Sequence, residues 1–348
     1  MGPKIVVRTP NHLGDAIMAI PMINEVREAH PGSTVTLLVP DYLAELYEQN
    51  PAIDALLRIS AKHVHGLISV VKIRELLEAE RFDLGYILPP SFGAAAGFKL
   101  GGVKVRIGYV ADGRRLLLTR PLPLPTPLNC QHRAVTYFEL LRRSTGQELE
   151  FSQPRLLLNE AEIQKGIDLM SGLGIAVEQA YAAIAIQAVA ESRRWGVERY
   201  TTLVRRLIES TEYAIVLIGG ASDHRPGEEM VEAIGSPRVV SIAGKTTLME
   251  SAAVLSRASF FVGNDSGPAH LAAAVEVPMV VLSGADDPKE TSPLAPRKRL
   301  IYHTELDCIG CVKNKCPLSQ DKFMKCMTSI SVGDVLNEIN LVLAESAV

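Results

Sequence analysis

Three short stretches hold residue types at spacings that could do chemistry. In "RTPNHLGDAIMAIPMI" (8–23), Asp15 follows Gly14 where a buried strand gives way to an apolar helix. A carboxylate there either caps the helix, since acids suit a helix start, or serves as general base toward a substrate hydroxyl. In "FFVGNDSGPAHLAAA" (260–274), an apolar strand runs through a polar turn into an alanine-rich helix. Gly263 and Gly267 permit close backbone approach, Pro268 suits the first turn, and the helix start is a ready anion site. Asp265, Ser266 and His270 bracket that site, and the competing reading is a well-capped helix. Between the two, "ESRRWGVERY" (191–200) sets Arg193 and Arg194 beside Trp195, the only tryptophan. Paired guanidinium groups clamp phosphate bidentately, or simply stand in solvent before the next helix.

Other stretches are less specific. "AGKTTL" (243–248) is not a Walker motif, because position 239 is Val where the pattern needs Gly. No G-x-G-x-x-G follows the first strand, which argues against a dinucleotide site. Residues 97–120 carry six basic side chains (Lys99, Lys104, Arg106, Arg114, Arg115, Arg120) against one acid, Asp112. That face could hold a phosphorylated or carboxylated partner, with Lys99, Arg106, Arg114 and Arg115 as the contacts, or it could be solvated surface. Four of the five cysteines, Cys308, Cys311, Cys316 and Cys326, follow a C-x2-C-x4-C-x9-C spacing, with Cys130 apart. The first pair has metal-ligand spacing, so zinc, an iron–sulfur cluster and free buried thiols all stay open. No particular histidine pairs with any of them, which argues against a catalytic thiol.

The elements that must carry these residues alternate β-branched strands with amphipathic helices, the pattern of parallel βα units. Strands are predicted at 4–8, 35–39, 55–59, 84–89 and 105–109, and again at 181–186, 213–220, 239–243, 260–265 and 279–284. Helices are predicted at 67–80, about 132–145, 247–259 and 332–346. The proline-rich "RPLPLPTPLNC" (120–130) can hold neither a helix nor a central strand. The fold class is therefore α/β, two doubly wound Rossmann-like domains facing a cleft, divided as 1–160, 161–330 and a final 331–348. A chain of 348 residues suits two cores. A net charge of −3 gives no global reason to bind nucleic acid. The start lacks an apolar signal core and no run is long enough to span a bilayer, which predicts a cytoplasmic protein.

Taken together, "LGDAIMAIP", "RIGY", "RRWGVERY", "IAGKTTL" and above all "GNDSGPAHLAAA" resemble the ADP-heptose:lipopolysaccharide heptosyltransferases, glycosyltransferase family 9, most like their heptosyltransferase II type. The resemblance implies a GT-B fold in which the first domain binds the acceptor, the second binds the ADP-sugar, and the last helix crosses back onto the first domain. It implies an inverting transfer, with no cofactor and no metal ion for catalysis, from ADP-heptose to the lipid-anchored inner core of lipopolysaccharide, with peripheral contact at the cytoplasmic face of the inner membrane. By the same resemblance Asp15 is the general base, Arg193 acts on the donor diphosphate, and Gly14, Arg194, Thr246, Leu248, Asp265, Ser266, Gly267, Pro268 and His270 surround the donor. Three departures stand out. "QAVA" (187–190) replaces the usual HPGA, Arg193 replaces a lysine, and Gly196 replaces a proline. They keep open a family 9 transferase with another nucleotide sugar or acceptor, and a non-catalytic nucleotide-binding protein of the same fold.

Overall fold

Each half of the chain alternates short apolar strands with helices, and in the computed structural model, which describes residues 2–127 and 130–345, each half forms its own parallel sheet. The first holds β1 (Lys4–Arg8), β2 (Thr34–Pro40), β3 (Ala55–Ile59), β4 (Leu84–Ile87), β5 (Val105–Val110) and β6 (Arg120–Pro123), in the order β3-β2-β1-β4-β5-β6. The second holds β7 (Tyr181–Ala185), β8 (Ala214–Leu217), β9 (Val239–Ser241), β10 (Phe260–Asn264), β11 (Met279–Leu282) and β12 (Lys298–Ile301), in the order β12-β11-β10-β7-β8-β9. The central strands are continuous apolar runs because helices cover both faces of a parallel sheet. Ile5 faces Val35 and Leu84 across the first sheet, and Val262 faces Ile184 and Val280 across the second, all fully buried except Leu84, which is half-buried.

Counted within its own half, each sheet has the same strand order. The connections reverse direction between β1 and β4 in one and between β7 and β10 in the other. In open sheets of this kind ligands bind beyond the carboxyl ends of the strands at that reversal. Asp15 follows β1, Arg193 follows β7 and Asp265 follows β10, so all three stand at these points.

The chain divides into compact units Met1–Pro154 and Arg155–Val348, earlier than the expected boundary at 160. The reason is local. The Leu156 N–H bonds the carbonyl of Ala274 at 2.9 Å, and helix Glu160–Gly172, closed by an Asn159–Glu162 capping box, packs on helix Leu248–Ser256. The final helix, Val332–Glu345, buries Val335, Ile339 and Val342 in the second unit's core with Trp195, Val280 and Leu282. Arg299 on β12 also pairs with its Glu338 and Glu345. That face of the expected 331–348 segment therefore packs in the second unit's core. Residues 346–348 of that expected segment lie outside the described residues, as do 128 and 129 in the proline-rich stretch. Among the described residues no helix is long and apolar enough to cross a membrane.

Candidate active site

In the first unit the site is built around Asp15, the third residue of helix Leu13–Met18. The helix is not capped by a side chain. The Asp15 carboxylate instead takes two donors on one oxygen: Arg133 Nη1 and Tyr137 Oη each donate to Oδ1 at 3.1 Å. Both donors lie on helix Arg133–Thr145, four residues apart and so on one face. Among the described residues Oδ2 has no hydrogen-bond partner, and the side chain is 17% exposed. Burial, reinforced by the neighbouring carboxylate, pushes the Tyr137 hydroxyl well above its usual range, so it keeps its proton and donates. The carboxylate is thus oriented through Oδ1 alone, by two donors from a different helix. Gly14, next to it, is half-buried in the first turn of the same helix.

The loop leading to Asp15 is pinned by residues with no obvious signal in the sequence. Arg8, at the end of β1, is buried and donates to the carbonyls of Thr9 (2.7 Å) and Leu38 (3.3 Å) and to Asn11 Oδ1 (2.5 Å). Burial lowers its pKa to about 10, so it remains a cation at neutral pH. Tyr42 donates to the Asn11 carbonyl at 2.8 Å and Tyr47 to that of Ala16 at 2.9 Å. Together they fix both ends of the turn from β1 into the Asp15 helix.

In the second unit the turn after β10 carries a buried cluster of charge. Asp265 is 3% exposed and accepts from Ser283 Oγ at 3.4 Å, and His270 Nε2 stands 4.0 Å from its Oδ1, too far for a hydrogen bond. Burial, and then the charge of Asp286, push the Asp265 carboxyl up to about 7, against the pull of Arg193 and Lys298. Asp265 can therefore hold a proton at neutral pH and donate to a sugar hydroxyl or phosphate oxygen as well as accept. Ser266 begins helix Gly267–Ala274 without a side-chain cap bond, and its Oγ donates to the Asn264 carbonyl at 3.2 Å. The well-capped helix is thus not how these side chains are used. Gly267 and Pro268 form the half-buried first turn.

Arg193 joins this cluster from the other side of the reversal. Its Nη2 is 2.5 Å from Asp286 Oδ1; the arginine side chain is 34% exposed and the aspartate 4%. Trp195 holds the loop in place and is core rather than ligand surface. Its N–H donates to Asn264 Oδ1 at 3.0 Å, its Nε1 to the Ile330 carbonyl at 2.9 Å, and its ring meets Tyr200 edge-on. Gly196 has φ +109°, which proline cannot adopt, so this loop requires the glycine that stands there. The Asn264 Nδ2 is buried with no partner among the described residues, a donor left over at the carboxyl end of β10. Asp286, in "GADDP" after β11, was the legible residue missed, an acid just past a strand end. Lys298 carried no comparable signal.

Other expected site residues have different partners. Arg194 donates from Nε to the Ala188 carbonyl (2.8 Å) and from Nη2 to that of Val189 (3.4 Å), so it braces the "QAVA" loop while its side chain stays exposed. Thr246 Oγ1 is bonded to Ser251 Oγ at 2.7 Å, and Leu248 is the half-buried first residue of its helix. Lys245 is held by Glu228 and the Ser241 carbonyl, which removes any likeness to a phosphate-binding lysine.

The cationic stretch is only partly a surface patch: Lys99, Lys104, Arg115 and Arg120 are exposed, and the other two are turned to the backbone. Arg114 is fully buried and donates to the carbonyls of Tyr109 (2.8 Å), Ile87 (3.4 Å) and Pro89. Arg106 donates to those of Leu117 (2.7 Å) and Val103 (2.6 Å). Both were expected to contact an acceptor. Their guanidinium groups are instead spent on main-chain carbonyls of the first unit. Lys99 and Arg115 remain exposed. Arg114→Met should therefore cost about 2–5 kcal/mol by leaving buried carbonyls unpaired, whereas Arg115→Glu should stay within about 0.5 kcal/mol. Denaturant midpoints of the two variants measure the difference.

A family model described as glycosyltransferase family 9 (heptosyltransferase) matches residues 70–321. That span includes Arg193 and Asp265 and begins after Asp15. Lipopolysaccharide heptosyltransferase 2 of Escherichia coli (strain K12) is 27% identical over 310 residues, 86% of this chain and 87% of that protein. The solved structure of E. coli ADP-heptose LPS heptosyltransferase II superposes with a TM-score of 0.82 at 23% identity, over 99% of this chain and 100% of that one. A family 9 glycosyl transferase from Veillonella parvula DSM 2008 gives 0.84 at 23% identity, over 99% and 97%. At that identity the two structures speak to the fold, two Rossmann-like units as in GT-B enzymes.

Proposed function

The chain belongs to glycosyltransferase family 9 and is a glycosyltransferase, and we propose that it moves a heptose from ADP-heptose to the inner core of lipopolysaccharide, with inversion and with Asp15 as base. The observation that carries this reading is the Asp15 carboxylate, held on one oxygen by Arg133 and Tyr137 with the other oxygen open, at the strand reversal of its sheet. The acceptor hydroxyl attacks the anomeric carbon opposite the diphosphate. The bond from that carbon to the phosphate oxygen breaks, its electrons leave with ADP, and the hydroxyl proton passes to Asp15. Because the hydroxyl becomes strongly acidic only as the new bond forms, a weak but well-placed carboxylate suffices.

Arg193 and the start of helix Gly267–Ala274 stabilise the departing diphosphate, so that positive charge is supplied by the chain itself. Asp265, protonated near neutrality, contacts the sugar. Lys99 and Arg115 are the exposed cations available to the anionic core sugar. The work is done beside the inner membrane, where the lipid-anchored acceptor resides.

Calorimetric titration with ADP, UDP, GDP and NAD tests the donor. ADP should bind at least about tenfold more tightly than the others, about 1.4 kcal/mol, and ADP-heptose should then support transfer to a heptose-deficient core acceptor. Preference for UDP or GDP would overturn the donor assignment, and ADP binding without transfer would overturn the catalytic one.

A further inference from the structure

The cysteine-rich segment after β12 plays no part in the chemistry above, yet it is built against it. Cys308, Cys311, Cys316 and Cys326 all line one cavity of about 80 Å³, together with Ser192 and Ala285. All four thiols are free. Seventeen residues stand between the first and the last, and that segment is largely irregular, so no regular element brings them together.

The backbone accepts strain to do so. Val312 (φ 53°), directly after Cys311, and Met324 (φ 49°), two residues before Cys326, are both left-handed without being glycine. Such conformations cost about 1–3 kcal/mol each and persist where the surroundings impose them. The Met324 N–H points at Cys316 Sγ, 3.3 Å away, a donor to sulfur of the kind that stabilises a bound thiolate.

We infer that these four thiols are the ligands of one thiophilic metal centre, zinc or iron, housed in this cavity. Soft thiolate ligands select zinc and iron–sulfur groups over magnesium or calcium. Among the described residues no three Cys, His, Asp or Glu side chains stand at the spacing of a single ion's ligands. A single ion would therefore draw the 308–326 segment inward. An iron–sulfur cluster would be held by the same four thiolates.

The centre also has a mechanical consequence. The segment is bonded to the two backbone stretches that carry the Arg193–Asp286 ion pair. Gly310 N–H donates to the Gly284 carbonyl at 2.9 Å and Val312 N–H to that of Ala285 at 2.7 Å, next to Asp286. Ser192 N–H donates to the Asn314 carbonyl at 3.2 Å, and Ser192 Oγ to that of Lys313, next to Arg193. A metal that closes the cysteine loop thereby holds both halves of the pair, and this second step rests on the donor site proposed above.

The test is elemental analysis and visible absorbance of the full chain purified without oxygen, alongside Cys311→Ser and Cys316→Ser. These two cysteines are half-buried, so their variants should fold where a change at buried Cys326 need not. One zinc per chain in a colourless protein, or iron and sulfide with charge-transfer bands, would support the site and identify its metal. Either serine variant should lose most of the metal and melt about 5 °C or more lower, with weaker ADP binding. No metal in the native chain, and none after reconstitution with Zn²⁺ or with Fe²⁺ and sulfide, would overturn the inference, as would metal retained in both variants. Metal content is read directly, so it decides this site whether or not the chain transfers a sugar. Metal loss with unchanged ADP affinity would overturn the mechanical step alone.

Discussion

Asp15→Asn should lower kcat by about 10²- to 10⁴-fold, the usual worth of a positioned general base, with little change in ADP affinity. Asparagine keeps the size of the side chain, and its amide oxygen can take the hydrogen bonds from Arg133 and Tyr137 that Oδ1 accepts now. What then faces the acceptor is an N–H2 group, which cannot take a proton. The loss of a negative charge in the first helical turn costs only about 0.3–1 kcal/mol, so the variant should fold and a melting curve will check that. ADP affinity is spared because the residues proposed for the diphosphate lie in the second unit. Tyr137→Phe is the informative control. It removes one donor to Oδ1 and leaves the base in place, so turnover should fall by about tenfold at most, the worth of one hydrogen bond. If Asp15→Asn keeps kcat within about threefold of the parent, the carboxylate only favours its helix and the base lies elsewhere.

The contrast between Asp15 and its two supports marks where sequence reasoning ends. Asp15 is legible because a glycine and an acid at the join of a buried strand and an apolar helix fall where doubly wound sheets bind ligands. Arg133 and Tyr137 lie 118 and 122 residues away, and nothing in their own helix points at Asp15. The central strands are legible as apolar runs. β6 and β12 were missed because edge strands need no such run: β6 contains Pro121 and Pro123, tolerated only at an edge, and β12 reads "KRLI" with every residue half-buried. The charge run at 97–120 misleads in the opposite direction. Its arginines look like a surface, but Arg106 and Arg114 are consumed by main-chain carbonyls that only the folded chain brings to them. Likewise nothing around Trp195 in the sequence shows that its indole N–H is spent on Ile330 in the core.

The second large effect is expected at Arg193, where alanine should reduce kcat/KM for the donor by about 10²- to 10³-fold, the scale of losing one preorganised charge at a developing oxyanion. Arg193 sits in a cluster that already holds two acids. Its guanidinium is 2.5 Å from Asp286 and also steadies Asp265, whose carboxyl stands at about 7. Removing it therefore takes a cation from the diphosphate and leaves the Asp286 carboxylate without that cation, while Asp265, no longer pulled down by the guanidinium, holds its proton more readily and adds no repulsion of its own. Arg193→Lys keeps the charge but not the fork that can hold Asp286 and a phosphate oxygen together. It should recover all but about tenfold of the activity, which separates charge from geometry. Asp286→Asn makes the complementary change. Ser192 and Trp195 already fix the backbone on either side of Arg193, so the amide need only keep a contact, and removing the competing acid should tighten ADP binding a few-fold. Calorimetry with ADP and donor kinetics on the three variants decide the matter. An alanine variant within about threefold of the parent, or an Asp286→Asn variant that binds ADP more weakly, would mean that the pair is a structural brace and that the diphosphate rests on the helix start after Ser266.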